Sequence, residues 1–63
     1  MSNQSEAEKF CREAINENPK HKSEIIGFYD LFMCEIEDED VSVENEYELL
    51  VSSVEELIEQ DNE

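Results

Sequence analysis

Carboxylates are the side chains through which this chain could do chemistry. Asp and Glu together make 19 of its 63 residues, against 4 Lys plus Arg, and they are joined by two cysteines and one histidine. Carboxylates in such number could bind divalent cations, transfer protons as general acids and bases, or present negative charge to a basic partner. Their spacing, and the elements that carry them, decide between these uses.

The acidic stretch from Asp38 to Leu49 is the best candidate for a cation site. Asp38, Asp40 and Ser42 fit the first, third and fifth positions of an EF-hand loop. Val43, however, stands where that loop needs Gly, and Leu49 stands where it needs a bidentate Glu. We therefore reject an EF-hand and leave open only weak, loose binding of divalent cations to residues 37–40.

Other reactive arrangements are missing from the sequence. Cys11, His21 and Cys34 do not have the spacing of zinc ligands, and a single Gly cannot build a phosphate-binding loop. The carboxylates are too many, and are expected to be too exposed, to single out an acid/base pair, which needs one member in a partly apolar cleft. The sequence predicts no metal, no cofactor and no enzymatic activity.

Signals for export or membrane insertion are also missing. The first six residues lack the basic and apolar regions of a secretion signal, and no apolar run approaches the roughly 18 to 20 residues that span a bilayer. Two cysteines do not make a disulfide framework, so we expect Cys11 and Cys34 to be reduced and mostly buried. These features predict a soluble, cytoplasmic protein.

The first segment has the pattern of an amphipathic helix over residues 6–17. Ser5 and Glu8 fit the S-x-x-E capping box at its start, and Pro19 follows its end. Between them, apolar residues recur at helical spacing on one stripe: Ala7, Phe10, Cys11, Ala14 and Ile15.

The second segment predicts a helix over residues 24–37, with Ser23 as its N-cap. Its apolar residues fall within an arc of about 160° when wound at about 100° per residue, the widest apolar face in the chain. They are Ile25, Ile26, Phe28, Tyr29, Phe32, Met33 and Ile36. We therefore expect it to be the central helix, and a strand over 28–36 is the alternative because short apolar runs are ambiguous.

The third segment predicts a helix over residues 43–60 with Ser42 as its cap, after an acidic connection at 37–40. Its seam alternates spacings of four and three residues, as in a heptad, and suits packing of helix on helix. The seam consists of Val43, Tyr47, Leu50, Val54 and Leu57, widened by Val51 and Ile58.

Three such helices predict an all-α fold, a small three-helix bundle, as a single domain over residues 1–63 with frayed termini. So short a chain buries only about 60% of its unfolded surface, and its stability should be marginal. Leu31, Cys34 and Leu49 remain as apolar positions outside the monomer core. A monomer and a homodimer are both compatible with this pattern.

The net charge of −15 is unevenly distributed. Residues 1–23 hold four acids and all four Lys and Arg, whereas residues 24–63 hold the other 15 acids and no Lys or Arg. On the third helix, Glu44 with Glu48 and Glu55 with Glu59 are like-charge pairs about 6 Å apart along the axis. Such pairs destabilise a helix by a few tenths of a kcal/mol each, so solubility alone or a binding role must account for them.

In size and charge the chain resembles the small acidic DNA-mimic inhibitors of phages and other mobile elements. That resemblance implies a protein that occupies the Lys/Arg groove of a basic DNA- or RNA-binding protein and inhibits it. The acidic balance itself argues against direct binding to nucleic acid or to an anionic membrane, because either would bring phosphates against carboxylates. The expected partner-binding residues are Glu35, Glu37, Asp38, Glu39, Asp40, Glu44, Glu48, Glu55 and Glu59. The alternative is a helical adaptor or assembly subunit that binds through an apolar surface, with charge serving only solubility.

Overall fold

Three helices pack against one another in the computed structural model, which describes residues 3–61. They are α1 (Asn3–Glu17), α2 (Lys22–Glu35) and α3 (Val43–Asp61), and a short 3₁₀ turn (Pro19–His21) joins the first two. No strand occurs within residues 3–61. The predicted three-helix bundle is confirmed, and the strand alternative for 28–36 is wrong because that segment lies in α2 and in the turn that follows it.

The core is made of small residues from α1 and larger ones from α2 and α3. Its buried members are Ala7, Cys11, Ala14, Ile25, Phe32, Leu50 and Val54. Small side chains on α1 let its backbone approach the other two helices closely, while the partly buried aromatic and aliphatic residues close the margins. The predicted stripes of all three helices face this core with two exceptions: Ile26 is 40% exposed, and Val51 is only partly buried and does not pack against the buried cluster.

Helix α1 begins three residues earlier than predicted, so Ser5 lies inside it and does not cap it. Glu8 instead forms an ion pair with Arg12, with 2.7 Å between the carboxylate oxygen Oε1 and the guanidinium nitrogen Nη2. At the other end, Asn18 leaves the helical conformation, as expected before Pro19, and both its backbone N–H and its side-chain amide donate to the carbonyl of Ala14.

Helix α2 is shifted two residues toward the N-terminus from its predicted bounds. The 3₁₀ turn at Pro19–His21 runs directly into it, since the N–H of Lys22 donates to the carbonyl of Pro19, and Ser23 therefore lies within the first turn instead of capping it. The helix ends at Glu35, where the N–H of Glu37 turns to the carbonyl of Cys34.

Helix α3 matches its predicted bounds to within one residue and its cap is confirmed. The N–H of Asn45 donates to the Ser42 hydroxyl oxygen at 3.3 Å, and the N–H of Glu46 donates to the Ser42 carbonyl at 3.0 Å. The outermost residues of the expected frayed termini, 1–2 and 62–63, lie outside the described residues.

Candidate functional site

Four glutamates form an exposed row along α3, defined here as the acidic row: Glu44, Glu48, Glu55 and Glu59. At about 100° per residue they fall within an arc of about 60°, next to the Val51 and Ile58 edge of the apolar seam. The row extends for about 22 Å, because each residue advances a helix by about 1.5 Å. Packing of the seam against the bundle therefore fixes the spacing and direction of four carboxylates.

The connection between α2 and α3 adds exposed carboxylates at the N-terminal end of this row. It is a sequence of tight turns: the N–H of Val41 donates to the carbonyl of Asp38 at 3.2 Å, and the N–H of Asp40 donates to the Asp38 carboxylate at 3.0 Å. The second bond is an Asx-turn, in which a side chain stands in for a backbone acceptor. The acidic block is thus held in a folded connection, with Glu37 and Glu39 directed to solvent.

The structure places two further carboxylates beside the acidic row, and neither of them was predicted from the sequence as a site residue. Glu13 and Glu17 of α1 line a groove of about 340 Å³ together with Glu55 and Ile58 of α3. The net charge of residues 1–23 is zero, so the charge of the segment does not reveal that these two glutamates lie on one face of α1. A helical projection of α1 shows the signal, since both glutamates lie beside Phe10 and on the side away from the Glu8–Arg12 pair.

The predicted site residues are divided between two faces. Glu35 is exposed, but it lies one turn beyond Leu31 on the flank of α2 that borders α3. The acidic row lies on the opposite flank of α3, which faces α1 through Ile58 and Glu55. Glu35 therefore belongs to a different surface from Glu44, Glu48, Glu55 and Glu59.

No group of three or more His, Cys, Asp or Glu side chains converges for metal binding within the described part of the chain. The acids of the connection point outward along consecutive turns, and one oxygen of Asp38 is engaged by the N–H of Asp40. The arrangement suits long-range attraction of a cationic surface better than coordination of a single ion.

The two thiols occupy different environments. Cys11 is 5% exposed in the core, and its burial raises the pKa of the thiol above its usual value. Cys34 is exposed, so its expected burial is wrong; it lies on the side of α2 opposite the apolar arc. Both are free cysteines, and the more protected one is the poorer nucleophile.

Tyr29 sits at the margin of the core between α1 and α2. Partial burial raises the pKa of its hydroxyl, and the nearby Glu8 carboxylate adds to the increase. Its ring stacks on Phe32 with 6.4 Å between ring centroids. Tyr29 is therefore explained as a packing residue, held in its neutral form at the edge of an apolar contact.

Across residues 3–61, none of the helices combines the length and the apolar character needed to cross a bilayer.

Comparison with known proteins gives no relative for this chain. No protein-family model matches it, and neither a curated protein nor a solved structure matches it.

Proposed function

We propose that this chain is a non-enzymatic binding protein that engages and inhibits a basic DNA- or RNA-binding protein by presenting carboxylates in place of phosphates. The observation that carries the proposal is the acidic row, in which a single helix face holds four exposed glutamates at fixed intervals with no Lys or Arg on the helix. Charges fixed on a helix offer a basic groove a preformed pattern, so little ordering is needed on binding.

The overall charge density supports this proposal. A DNA duplex carries about one negative charge per 1.7 Å of axis, so a duplex of 37 Å, the longest dimension of the chain, carries about 22. The net charge of −15 gives the protein about two-thirds of that density. A Lys/Arg surface shaped to neutralise phosphates would therefore meet a comparable field here.

The unrelieved repulsion along α3 also supports a binding role. Lysines placed at i+4 from the existing glutamates would stabilise the helix, yet the sequence has Glu at both such positions, Glu48 and Glu59. Glu13 and Glu17 add two more negative charges on the α1 side of the neighbouring groove. Solubility alone requires net charge but not like-charge pairs at i and i+4 along one helix face.

The same charge makes direct binding to nucleic acid or to an anionic membrane unfavourable, because either would bring phosphates against carboxylates. We place the protein in the cytoplasm, where reducing conditions preserve free thiols such as Cys11 and Cys34. Carriage by a phage or another mobile element is the setting that the resemblance to small acidic DNA-mimic inhibitors implies.

The experiment is capture of partners from a native lysate on the immobilised chain, followed by affinity measurement for each basic protein recovered. Attraction between exposed charges is screened over about 10 Å at 0.1 M salt and about 3 Å at 1 M. We expect basic nucleic-acid-binding proteins to bind at low salt and to be lost at high salt. Partners that are acidic or neutral and resist salt would contradict the proposal.

The decisive variant changes the acidic row to glutamine: E44Q/E48Q/E55Q/E59Q. We expect affinity for the captured partner to fall by about tenfold or more at low salt, since each exposed charge pair contributes up to about 1 kcal/mol. The matched control, E24Q/D30N/E46Q/E56Q, removes the same charge from α2 and from other faces of α3. Glu46 and Glu56 also border the groove between α2 and α3, so equal losses in the two variants would mean that net charge or that groove, and not the row alone, drives binding.

A further inference from the structure

Two leucines lie largely in solvent on facing flanks of α2 and α3. Leu31 is 58% exposed and Leu49 is 60% exposed, the two largest values among the large apolar side chains of the described residues. Single exposed leucines are common on protein surfaces, but two that border one groove form a contiguous apolar feature.

The groove between these leucines has an apolar floor. One part of it, of about 230 Å³, is lined by both leucines together with Phe28, Phe32 and Leu50. A second part, of about 270 Å³, shares Phe28 and Ser53 with the first and continues past Leu57 to Gln60, so its lining is partly polar. From Leu49 to Gln60 the groove follows about 16 Å of α3, which is about three helical turns.

Among the described residues, every charged side chain that borders this groove is acidic. Glu46 and Glu56 line it from α3, and Glu24 and Glu35 lie one or two turns from Leu31 on the same stripe of α2. Helix α3 has no Lys or Arg, and the one cation of α2, Lys22, lies at its first residue on the side of the helix that faces away from Leu31.

We propose that this groove binds a basic amphipathic helix, which would complete the three-helix bundle as a fourth helix. Leucine-sized residues of the partner would pack between Leu31 and Leu49, and its Lys or Arg residues would meet the acidic margins. Two observations select this occupant: a groove about three turns long with an apolar floor in its Leu31–Leu49 part, which matches a short amphipathic helix, and a margin of a single sign of charge, which favours a cationic one. A second copy of the chain would bring acidic margins against acidic margins.

This surface is separate from the acidic row. On α3, Leu49 and Glu46 lie on the flank that faces α2, whereas Glu55 faces α1 across the apolar seam. Binding of a helix in the groove is therefore independent of phosphate mimicry by the acidic row. Substitutions on one flank of α3 do not change the side chains on the other flank.

The probe is a synthetic, fluorescently labelled peptide of about four helical turns, with Leu at the a and d positions of a heptad and Lys elsewhere. Its binding to the full chain is measured by anisotropy at about 0.15 M salt, where screening acts over about 8 Å. Because the substituted side chains are already exposed, the fold of L31Q/L49Q should be unchanged by circular dichroism. We expect this variant to bind at least about tenfold more weakly, because two leucines lose their apolar contact.

The matched control is Ile26→Gln, which removes an exposed apolar side chain from the α1 side of α2 and should change affinity by less than about twofold. Shifts in the nuclear magnetic resonance spectrum on peptide addition should map to Phe28, Leu49 and Leu50. Equal affinity of L31Q/L49Q and the unmodified chain would overturn the proposal, as would equal binding of a scrambled peptide or of one with Glu in place of Lys. Sedimentation that shows a dimer dissociated by L31Q/L49Q would assign the groove to a second copy and overturn it as well.

Discussion

The acidic row predicts that the chain becomes more stable when its like-charge pairs are replaced by opposite-charge pairs. The variant E48K/E59K changes both pairs, Glu44 with Glu48 and Glu55 with Glu59, to Glu followed by Lys at i+4, which is the favourable orientation. All four positions are exposed, so neither substitution disturbs the core.

The magnitude follows from the two pairs. Each changes from a repulsion of about 0.2–0.5 kcal/mol to an attraction of about the same size, so the free energy of unfolding should rise by about 0.8–2 kcal/mol in total. For a domain of this length about 1 kcal/mol raises Tm by about 4–8 °C, and the expected increase is about 3–16 °C. The same variant should lose affinity for a basic partner.

Thermal unfolding followed by circular dichroism at low salt measures this increase. Near 1 M salt the screening length of about 3 Å is shorter than the spacing of about 6 Å within each pair, so the increase should shrink. The matched control compares Glu48→Lys with Glu39→Lys, because each changes the net charge from −15 to −13 but Glu39 lies in the connection. If E48K/E59K is no more stable than the unmodified chain, or if Glu39→Lys stabilises as much as Glu48→Lys, repulsion within the two pairs does not destabilise α3.

Four further substitutions or reactions test the fold itself. Gly27→Ala should stabilise by about 1 kcal/mol in urea unfolding, because a Cβ there meets no atom within 4 Å and the helix gains propensity; destabilisation would mean that the glycine is needed for packing. Ser42→Ala should cost about 1 kcal/mol through loss of the α3 cap, and an unchanged midpoint would contradict that hydrogen bond. Val54→Ala, at a fully buried position, should cost about 2 kcal/mol or more, whereas a loss below about 0.5 kcal/mol would place it outside the core. With a thiol reagent, Cys34 should react at least about tenfold faster than Cys11, which is buried and has a raised pKa; equal rates would contradict the burial.

The sequence is sufficient for the fold because each helix carries a periodic apolar stripe that only helix packing can bury. The seam of α3 and its Ser42 cap are local signals, and both are confirmed. The starts of α1 and α2 are less predictable. An S-x-x-E motif such as that at Ser5 is also compatible with a helix that has already begun, and a 3₁₀ turn after Pro19 can feed directly into a helix.

The surfaces are only partly predictable, because they depend on how the helices are rotated against one another. The position of the acidic row around the axis of α3, next to the apolar seam, follows from the sequence of α3 alone. The contact of each helix with α3 determines that Glu13 and Glu17 lie beside the row and that Glu35 does not. A single sequence does not specify these contacts. The positions of Leu31 and Leu49 outside the apolar stripes predict that both are exposed. The sequence does not predict that they line the same groove.

Displacement of DNA distinguishes phosphate mimicry from binding that leaves the DNA site of the partner free. A captured basic partner is loaded with a labelled duplex, and the chain is added at low salt while the bound fraction of the duplex is followed by anisotropy. The proposed mimicry predicts that the unmodified chain releases the duplex in a competitive manner and that E44Q/E48Q/E55Q/E59Q does not. Formation of a ternary complex, in which the partner holds the chain and the duplex together, would contradict it.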